Sequence, residues 1–283
     1  MSEQGIRFAM HQIRLPLAEQ KDVVEDIDDP SSRPDVLRRA IYEKPVIQSR
    51  GEWRIGEVHT VREPGYVFQL GKITKETRPD FDADDLKFID DEQSDVQVTI
   101  VVMDVEMSIC GIARMADMKP SIDVVARKLD RLLNSTESVK ASPYQVDVTL
   151  QPDTREFAQR VRDLGTLTDL WVTVEKPNAY TGDELVDAME TAVKEHDAKS
   201  SSNRMHGDEL RKERSIQTAN RATRDGGKVT ARSKDEDGDE VFIKTEDAPA
   251  SFKADKPDDT QTRRLAVIAL REAWDRLYGD DSG

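Results

Sequence analysis

Apolar residues alternate with polar ones along much of the first half of the chain, as they do in half-buried strands. The clearest run covers residues 96–102, where valine and isoleucine recur at every second position. This spacing predicts a strand with one buried face, and residues 107–113 are predicted to form its antiparallel return. Further apolar runs flank Pro64-Gly65, a turn dipeptide that predicts a hairpin. We therefore expect a mainly antiparallel sheet in the N-terminal half.

Apolar residues at helical spacing predict several helices. From Ser121 onward, Ile122, Val125, Leu129 and Leu132 fall on one helical stripe. Capping pairs, in which Asp or Thr precedes Glu by three residues, mark two more helix starts. These two helices begin at Asp153, with Glu156 three residues later, and at Thr181, with Glu184 three residues later. Two further helices are predicted over residues 35–42 and 208–223. A last helix near the end of the chain has Val267, Leu270, Trp274 and Leu277 on one face.

The second half alternates between these helices and short strands. Residues 144–150 and 167–174 are predicted strands, and residues 199–203 form a serine-rich break. Residues 229–231 are predicted to pair with residues 241–243, because glycine in the intervening Asp-Gly dipeptide tolerates the positive φ of a tight turn. The C-terminal half should therefore contain mixed α/β layers with a hairpin and a terminal helix.

Together these patterns predict an α+β fold in two parts. The polar run 134–138 indicates a boundary between them. We expect a strand-rich domain with one closing helix at residues 1–138, and an α+β domain at residues 139–283.

The composition of the chain bears on its membrane association and its cellular compartment. The 283 residues carry a net charge of -15, and no run of eighteen apolar residues or secretory pattern is present, so we expect no membrane insertion. The single cysteine, Cys110, cannot form an internal disulfide, which favours a reducing cytoplasm. It lies between isoleucines in a predicted strand, which favours a buried structural thiol over a nucleophile.

The motifs of common enzymes are missing from the sequence. No phosphate-binding loop, dinucleotide fingerprint or nucleophile elbow occurs, and no histidine has zinc-helix spacing, so no cofactor and no metal is predicted. A metal-dependent nuclease or hydrolase remains one alternative, because such enzymes gather acidic residues at strand ends. The acids considered for that role are Asp104, Glu106, Asp147 and Asp169.

One segment, residues 204–234, differs from the acidic background. It holds nine basic and four acidic residues, so its net charge is +5 and the net charge of the rest of the chain is -20. Arg214, Arg221 and Arg224 share one face of the predicted helix, and Arg211 extends that face. The residues predicted to contact nucleic acid are Arg211, Lys212, Arg214, Arg221, Arg224, Lys228 and Arg232.

An arginine stripe of this kind can serve two purposes. Guanidinium groups bind phosphate oxygens bidentately, so DNA or another polyanion is one partner, contacted mainly through its backbone. Alternatively, the arginines pair with acidic residues of the same chain or across a homodimer. The low aromatic content, 5%, argues against base stacking as the main mode.

The last 110 or so residues resemble a bacterial family associated with phage exclusion, related to the RexA protein of phage lambda. The similar stretches are residues 174–178, Val-Glu-Lys-Pro-Asn, and a downstream hairpin that runs from Gly226-Gly227-Lys228 to Asp239-Glu240-Val241. The resemblance implies a DNA-binding homodimer that senses infection and acts with a partner, with the basic segment as the place of contact.

Three hypotheses follow. The first is a non-enzymatic, cytoplasmic nucleic-acid-binding sensor or interaction protein, homo-oligomeric and active in phage defence, with a protein partner from a neighbouring gene. The second is a subunit or scaffold of a protein complex without nucleic-acid contact. The third is the metal-dependent nuclease or hydrolase.

Overall fold

Two antiparallel sheets and the helices packed on them make up the protein, so the predicted α+β class is confirmed. A computed structural model describes residues 5–16, 32–62, 64–82, 87–115, 120–175, 189, 200–224, 227–234 and 239–278. The strands are β1 (Ile6–Arg14), β2 (Val46–Gln48), β3 (Glu52–Arg62), β4 (Gly65–Asp82), β5 (Lys87–Asp104), β6 (Ile109–Ala113), β7 (Asp147–Leu150), β8 (Thr166–Glu175), β9 (Ser200–His206), β10 (Lys228–Lys234), β11 (Glu240–Lys244) and β12 (Ser251–Ala254). The helices are α1 (Ser32–Tyr42), α2 (Ile122–Asn134), α3 (Glu137–Ala141), α4 (Thr154–Asp163), α5 (Lys212–Arg224) and α6 (Thr260–Tyr278).

The first sheet has the order β12-β1-β6-β5-β4-β3-β2. Strand β1 pairs with β6 on one side, and on the other with β12 along its first half and with β7 along its second. The predicted hairpin at Pro64-Gly65 joins β3 to β4, and the predicted return strand is β6. Among the described helices, none is long and apolar enough to cross a membrane.

Both faces of the first sheet carry a hydrophobic core. One face packs against α1 and α2, and the other packs against α6. The alternating strand β5 serves both, since Val101 belongs to the first core and Val102 to the second. Helix α6 covers only the Val102 end of its face, so Val96 is 57% exposed and Val98 is 38% exposed.

The second sheet has the order β11-β10-β8-β9, and α4 and α5 lie on one of its faces. The prediction of a serine-rich break at residues 199–203 was wrong for residues 200–203, which belong to β9. Strand β9, including these residues, pairs with β8 in a regular register from Glu175↔Ser200 to Asp169↔His206. The ladder hydrogen bonds outweigh the loop preference of serine. Of the predicted helix that starts at Thr181, the structure describes only Met189, which is helical and buried; the rest of that helix lies outside the described residues.

The sheets do not divide the chain at the predicted boundary of 138 and 139. Strands β7 and β12 lie beyond that boundary but both pair with β1. Phe252 of β12 stacks on Phe8 of β1 with ring centroids 5.0 Å apart. The core of the second sheet instead runs from Phe157 to Ile243. The second sheet is therefore an insertion between two strands of the first.

Candidate nucleic-acid interface

Helix α5 presents an arginine face to solvent. Ile216, Ala219 and Ala222 on its other face are buried against β8 and β10, which fixes the rotation of the helix about its axis. Positions seven residues apart lie on one side of a helix, so Arg214 and Arg221 both point away from that core. The exposed arginines on this side, here named the α5 stripe, are Arg211, Arg214, Arg221 and Arg224.

The α5 stripe is not neutralised by the acid next to it. Glu213 instead accepts a bidentate pair of hydrogen bonds from Arg162 of α4, with N–O distances of 2.9 and 3.1 Å. This contact lowers the pKa of Glu213. Within the described part of the chain, Arg211 and Arg214 have no ion-pair partner. These two arginines therefore place positive charge on the stripe that is open to an outside anion.

Lys212 belongs to the predicted set but has a structural role. Its Nζ donates to the backbone carbonyl of Arg162 at 3.1 Å and also to the carbonyl of Leu164. These carbonyls lie at the end of α4, where the last carbonyl groups of a helix have no N–H partner within the helix. Lys212 therefore joins α5 to the C-terminal end of α4.

The two basic residues predicted on β10 are also engaged within the chain. Lys228 forms an ion pair with Glu246 at 3.1 Å. Arg232 donates to Asp169 through Nε at 2.7 Å and to Glu240 through Nη1 at 2.9 Å. The seven predicted contact residues therefore do not form one surface: four make up the α5 stripe, and three stabilise the fold.

Asp169 is the centre of a network that the sequence did not reveal. Its carboxylate is inaccessible to solvent and lies on β8 between β9 and β10. Arg204 donates to it through Nε at 2.8 Å, and His206 donates through Nδ1 at 2.9 Å, in addition to the bonds from Arg232. Burial alone would raise the pKa of Asp169, but these hydrogen bonds hold that pKa well below its usual range.

The face of the second sheet opposite its helices carries aromatic and cationic side chains. Trp171 pairs with Arg204 across β8 and β9, and Arg232 pairs with Phe242 across β10 and β11. The guanidinium carbons of Arg204 and Arg232 lie 4.9 and 5.7 Å from the centre of the Trp171 ring. The Trp171 and Phe242 ring centroids are 6.3 Å apart, and Phe242 is 51% exposed. We call this surface the open sheet face.

The sequence contained a signal for the open sheet face. Leu170, Val172 and Val174 alternate with Asp169, Trp171 and Thr173, so the second set must lie on the other side of β8. Trp171 therefore lies on the side of β8 that has no other apolar residues, which indicates an aromatic ring that is not covered by a hydrophobic core. The aromatic content of the whole chain could not indicate this, because it does not say where the rings lie.

The acids considered for metal catalysis do not converge. Asp104 is buried against Arg271, Asp147 pairs with Arg14, and Asp169 is held by the network above. No group of three or more metal-binding side chains occurs among the residues that the structure covers. Cys110 lies buried in β6, as predicted, and burial raises the pKa of its thiol.

A cleft of about 420 Å³ lies where the two sheets meet. Its charged lining mixes both signs, with Arg14, Lys228, Asp147 and Glu246 among the residues. Arg14 pairs with Asp147, and Lys228 pairs with Glu246. These internal pairs give the cleft no preference for an anion or a cation.

Comparison with known proteins adds one relationship. No curated protein matches the chain. A family model described as Domain of unknown function (DUF4747) matches residues 111–272, which is more than half of the chain. The matched region begins in β6 and ends in α6, so it includes the whole second sheet, the α5 stripe and the open sheet face. The chain belongs to the DUF4747 family.

Proposed function

We propose that the protein binds nucleic acid through the α5 stripe, as a non-catalytic sensor or interaction protein of the cytoplasm. The observation that carries this proposal is the outward position of the four stripe arginines on a helix whose other face is buried. From Arg211 to Arg224 the stripe extends about 20 Å along the helix axis. That length is enough to follow several successive phosphates of a nucleic-acid backbone.

The charge of the whole molecule argues for a confined contact. A net charge of -15 repels a polyanion from most of the surface, so binding requires a local positive patch. Guanidinium groups match phosphate oxygens in geometry and remain charged at any physiological pH. Contacts of this kind carry little base information, so we expect weak sequence preference and strong dependence on salt.

The test is a salt series of fluorescence anisotropy titrations with a labelled DNA duplex. The variant Arg214→Ala/Arg221→Ala/Arg224→Ala should bind more weakly than the parent. Because each arginine–phosphate contact contributes about one counterion to the salt dependence, the slope of log K against log salt should fall by about three.

A matched control removes the same charge elsewhere. Arg155→Ala/Arg264→Ala/Arg276→Ala deletes three exposed arginines of α4 and α6 and should leave the slope unchanged. Equal affinity and slope in the parent and the stripe variant would show that the stripe makes no phosphate contact. If the parent binds no DNA at low salt but copurifies with one stable protein partner, the protein is instead a complex subunit.

The biological setting that we propose is phage defence, with the protein acting as a homodimer beside a partner from a neighbouring gene. Its support is the resemblance of the C-terminal stretches to the phage-exclusion family, which include the start of β10 and the start of β11. A host that expresses the protein and its gene neighbours should plate phage less efficiently than a host with the stripe variant. Equal plating of both would remove the link to defence.

A further inference from the structure

The open sheet face lies on the opposite side of the second sheet from the α5 stripe, so one nucleic-acid segment cannot lie flat on both. Helices α4 and α5 cover the side formed by residues such as Leu170 and Ala231, while Trp171 and Phe242 lie on the other side. Among the residues that the structure describes, no element packs over the two rings. This face therefore needs an explanation of its own.

Two rows of cross-strand neighbours make up the centre of the open sheet face. The first row is Phe242, Arg232, Asp169 and His206, and the second is Lys244, Thr230, Trp171 and Arg204. The sheet register fixes each row, because every residue in it is the direct cross-strand partner of the next. The result is a surface in which the register sets the positions of two aromatic rings, Trp171 and Phe242, and two guanidinium groups, Arg204 and Arg232.

The network under the surface holds the flat groups in place. Arg204 and Arg232 are both anchored on the buried Asp169 carboxylate and lie over the Trp171 ring. Arg204 nevertheless remains 49% exposed. Its guanidinium plane and the exposed Phe242 ring therefore present two flat surfaces to solvent without a loss of side-chain freedom on binding.

The local charge favours an anionic partner. The strands bring Arg204, Arg232, Lys228 and Lys244 to this face, against the carboxylates Asp169, Glu240 and Glu246, the last of which pairs with Lys228, so one positive charge is left over. Positive charge on a molecule of net charge -15 selects for anions, and exposed flat groups select for aromatic rings. Single-stranded nucleic acid combines both properties, because its bases are unpaired and each carries a phosphate.

We propose that the open sheet face binds single-stranded nucleic acid, with bases stacked on Phe242 and on the Arg204 guanidinium, and phosphates beside Lys244. Stacking on a four-stranded sheet is a common way to bind single strands, and it works for any base because each has a π face. This inference rests on the proposed nucleic-acid binding, but it assigns single strands to a surface separate from the stripe.

The experiment measures binding of the full chain to labelled dT12, to labelled rU12 and to a 12-base-pair duplex. Phe242→Ala should weaken single-strand binding about fivefold or more, since stacking contributes about 1–3 kcal/mol per base. Phe242→Tyr retains a ring of the same shape and should bind as the parent does. Duplex binding should be unchanged in both variants, and the two oligonucleotides distinguish DNA from RNA as the source.

The matched control is Tyr42→Ala, which removes a ring of similar exposure, 48%, from the end of α1, far from the open sheet face in the sequence. It should leave single-strand binding unchanged, and thermal melting should show that each variant is folded. Equal single-strand affinity in Phe242→Ala and the parent overturns the inference, as does equal weakening in Phe242→Ala and Phe242→Tyr.

Two further outcomes separate this inference from the proposed function. Duplex binding by the parent without single-strand binding overturns only the role of the open sheet face, whereas binding of neither overturns both proposals. Competition by a twelve-residue polyglutamate as strong as that by unlabelled dT12 would mean that the face recognises acidic protein, and it also overturns the inference.

Discussion

Asp169 and Arg232 lie directly opposite each other on β8 and β10, and the Arg232 Nε donates to the Asp169 carboxylate at 2.7 Å. Arg232, although part of the basic segment, is therefore paired with an acidic residue of the same chain. Arg214, on the surface of α5, has no such contact within the described residues. Both arginines belong to the basic segment, but removal of Arg232 should affect the stability of the fold, whereas removal of Arg214 should affect only the charge of the surface.

Asp169→Asn should destabilise the protein by about 2 kcal/mol or more. The change leaves Arg204 and Arg232 facing a neutral group, and removing one partner of a buried ion pair is costly because the other charge remains. Urea denaturation measures the loss as a lower midpoint at unchanged m-value.

The control for Asp169→Asn is Glu156→Gln on α4. Glu156 lies 3.7 Å from Arg160 in a solvent-exposed pair, and such pairs contribute little to stability. A change below about 0.5 kcal/mol is expected there. Equal midpoints for Asp169→Asn and the parent would contradict the structural role of the network.

The sequence predicted elements whose signals are local. The stripe of apolar residues in α2 and the capping aspartate of α4 were correct, and the Asp153 side chain accepts hydrogen bonds from the Arg155 and Glu156 amides as a capping residue should. Both depend on residues within one or two helical turns. The arginine face of α5 was predictable for the same reason.

The Asp169 network and the sheet order were not predictable, because they depend on contacts between distant positions. Arg204 and Arg232 follow Asp169 by 35 and 63 residues, and only the register of β9 and β10 against β8 brings them together. Likewise, the pairing of β12 with β1 joins the two ends of the chain, which no local pattern indicates. The predicted boundary at residue 138 considered only the local polar run.

Gly111→Ala should destabilise the first sheet by about 1–3 kcal/mol. A Cβ at Gly111 would lie 2.5 Å from the ring of Phe252, which is stacked on Phe8 and cannot move freely. Gly56→Ala is the control, since a Cβ at that position meets no atom within 4 Å. Thermal melting should show a lower Tm for Gly111→Ala only. A Tm equal to that of Gly56→Ala would show that the rings have room to shift.

Asp104→Ala and Glu106→Ala should differ sharply, although the two acids are separated by one residue. Asp104 is buried, pairs with Arg271 of α6, and accepts hydrogen bonds from the Glu106 and Met107 amides at 3.0 Å each. Its removal should cost about 3 kcal/mol or more, because it leaves an arginine and two amides without their acceptor. Glu106 is exposed, so its removal should change the free energy of unfolding by less than about 0.5 kcal/mol.

The measurement for this pair is urea denaturation together with an assay for metal-dependent cleavage of DNA. Loss of stability in Asp104→Ala without any change in nuclease activity supports a structural aspartate. A stable Asp104→Ala variant that loses a metal-dependent activity of the parent would restore the nuclease hypothesis.

Acidification below pH 6.5 should weaken the fold through His11. This side chain is fully buried on β1, and burial lowers its pKa from 6.5 to about 4, although its Nδ1 donates to the Ala9 carbonyl at 3.1 Å. The unfolded chain therefore takes up a proton between pH 6.5 and 4 that the folded protein does not, so the free energy of unfolding falls as the pH falls through this range. The loss should reach about 3 kcal/mol near pH 4 and level off below it.

Urea denaturation at pH 6.5, 6.0, 5.5 and 5.0 of the parent and of His11→Gln isolates this effect. Few carboxylates titrate in that range, so the slope reports mainly histidine. His11→Gln should have a lower stability at pH 6.5, because glutamine does not match the imidazole in shape, but a flatter dependence on pH. The test compares the pH dependence of the free energy of unfolding, not its value at one pH. Equal pH dependence in the two proteins would show that His11 takes up its proton in the folded state as easily as in the unfolded chain.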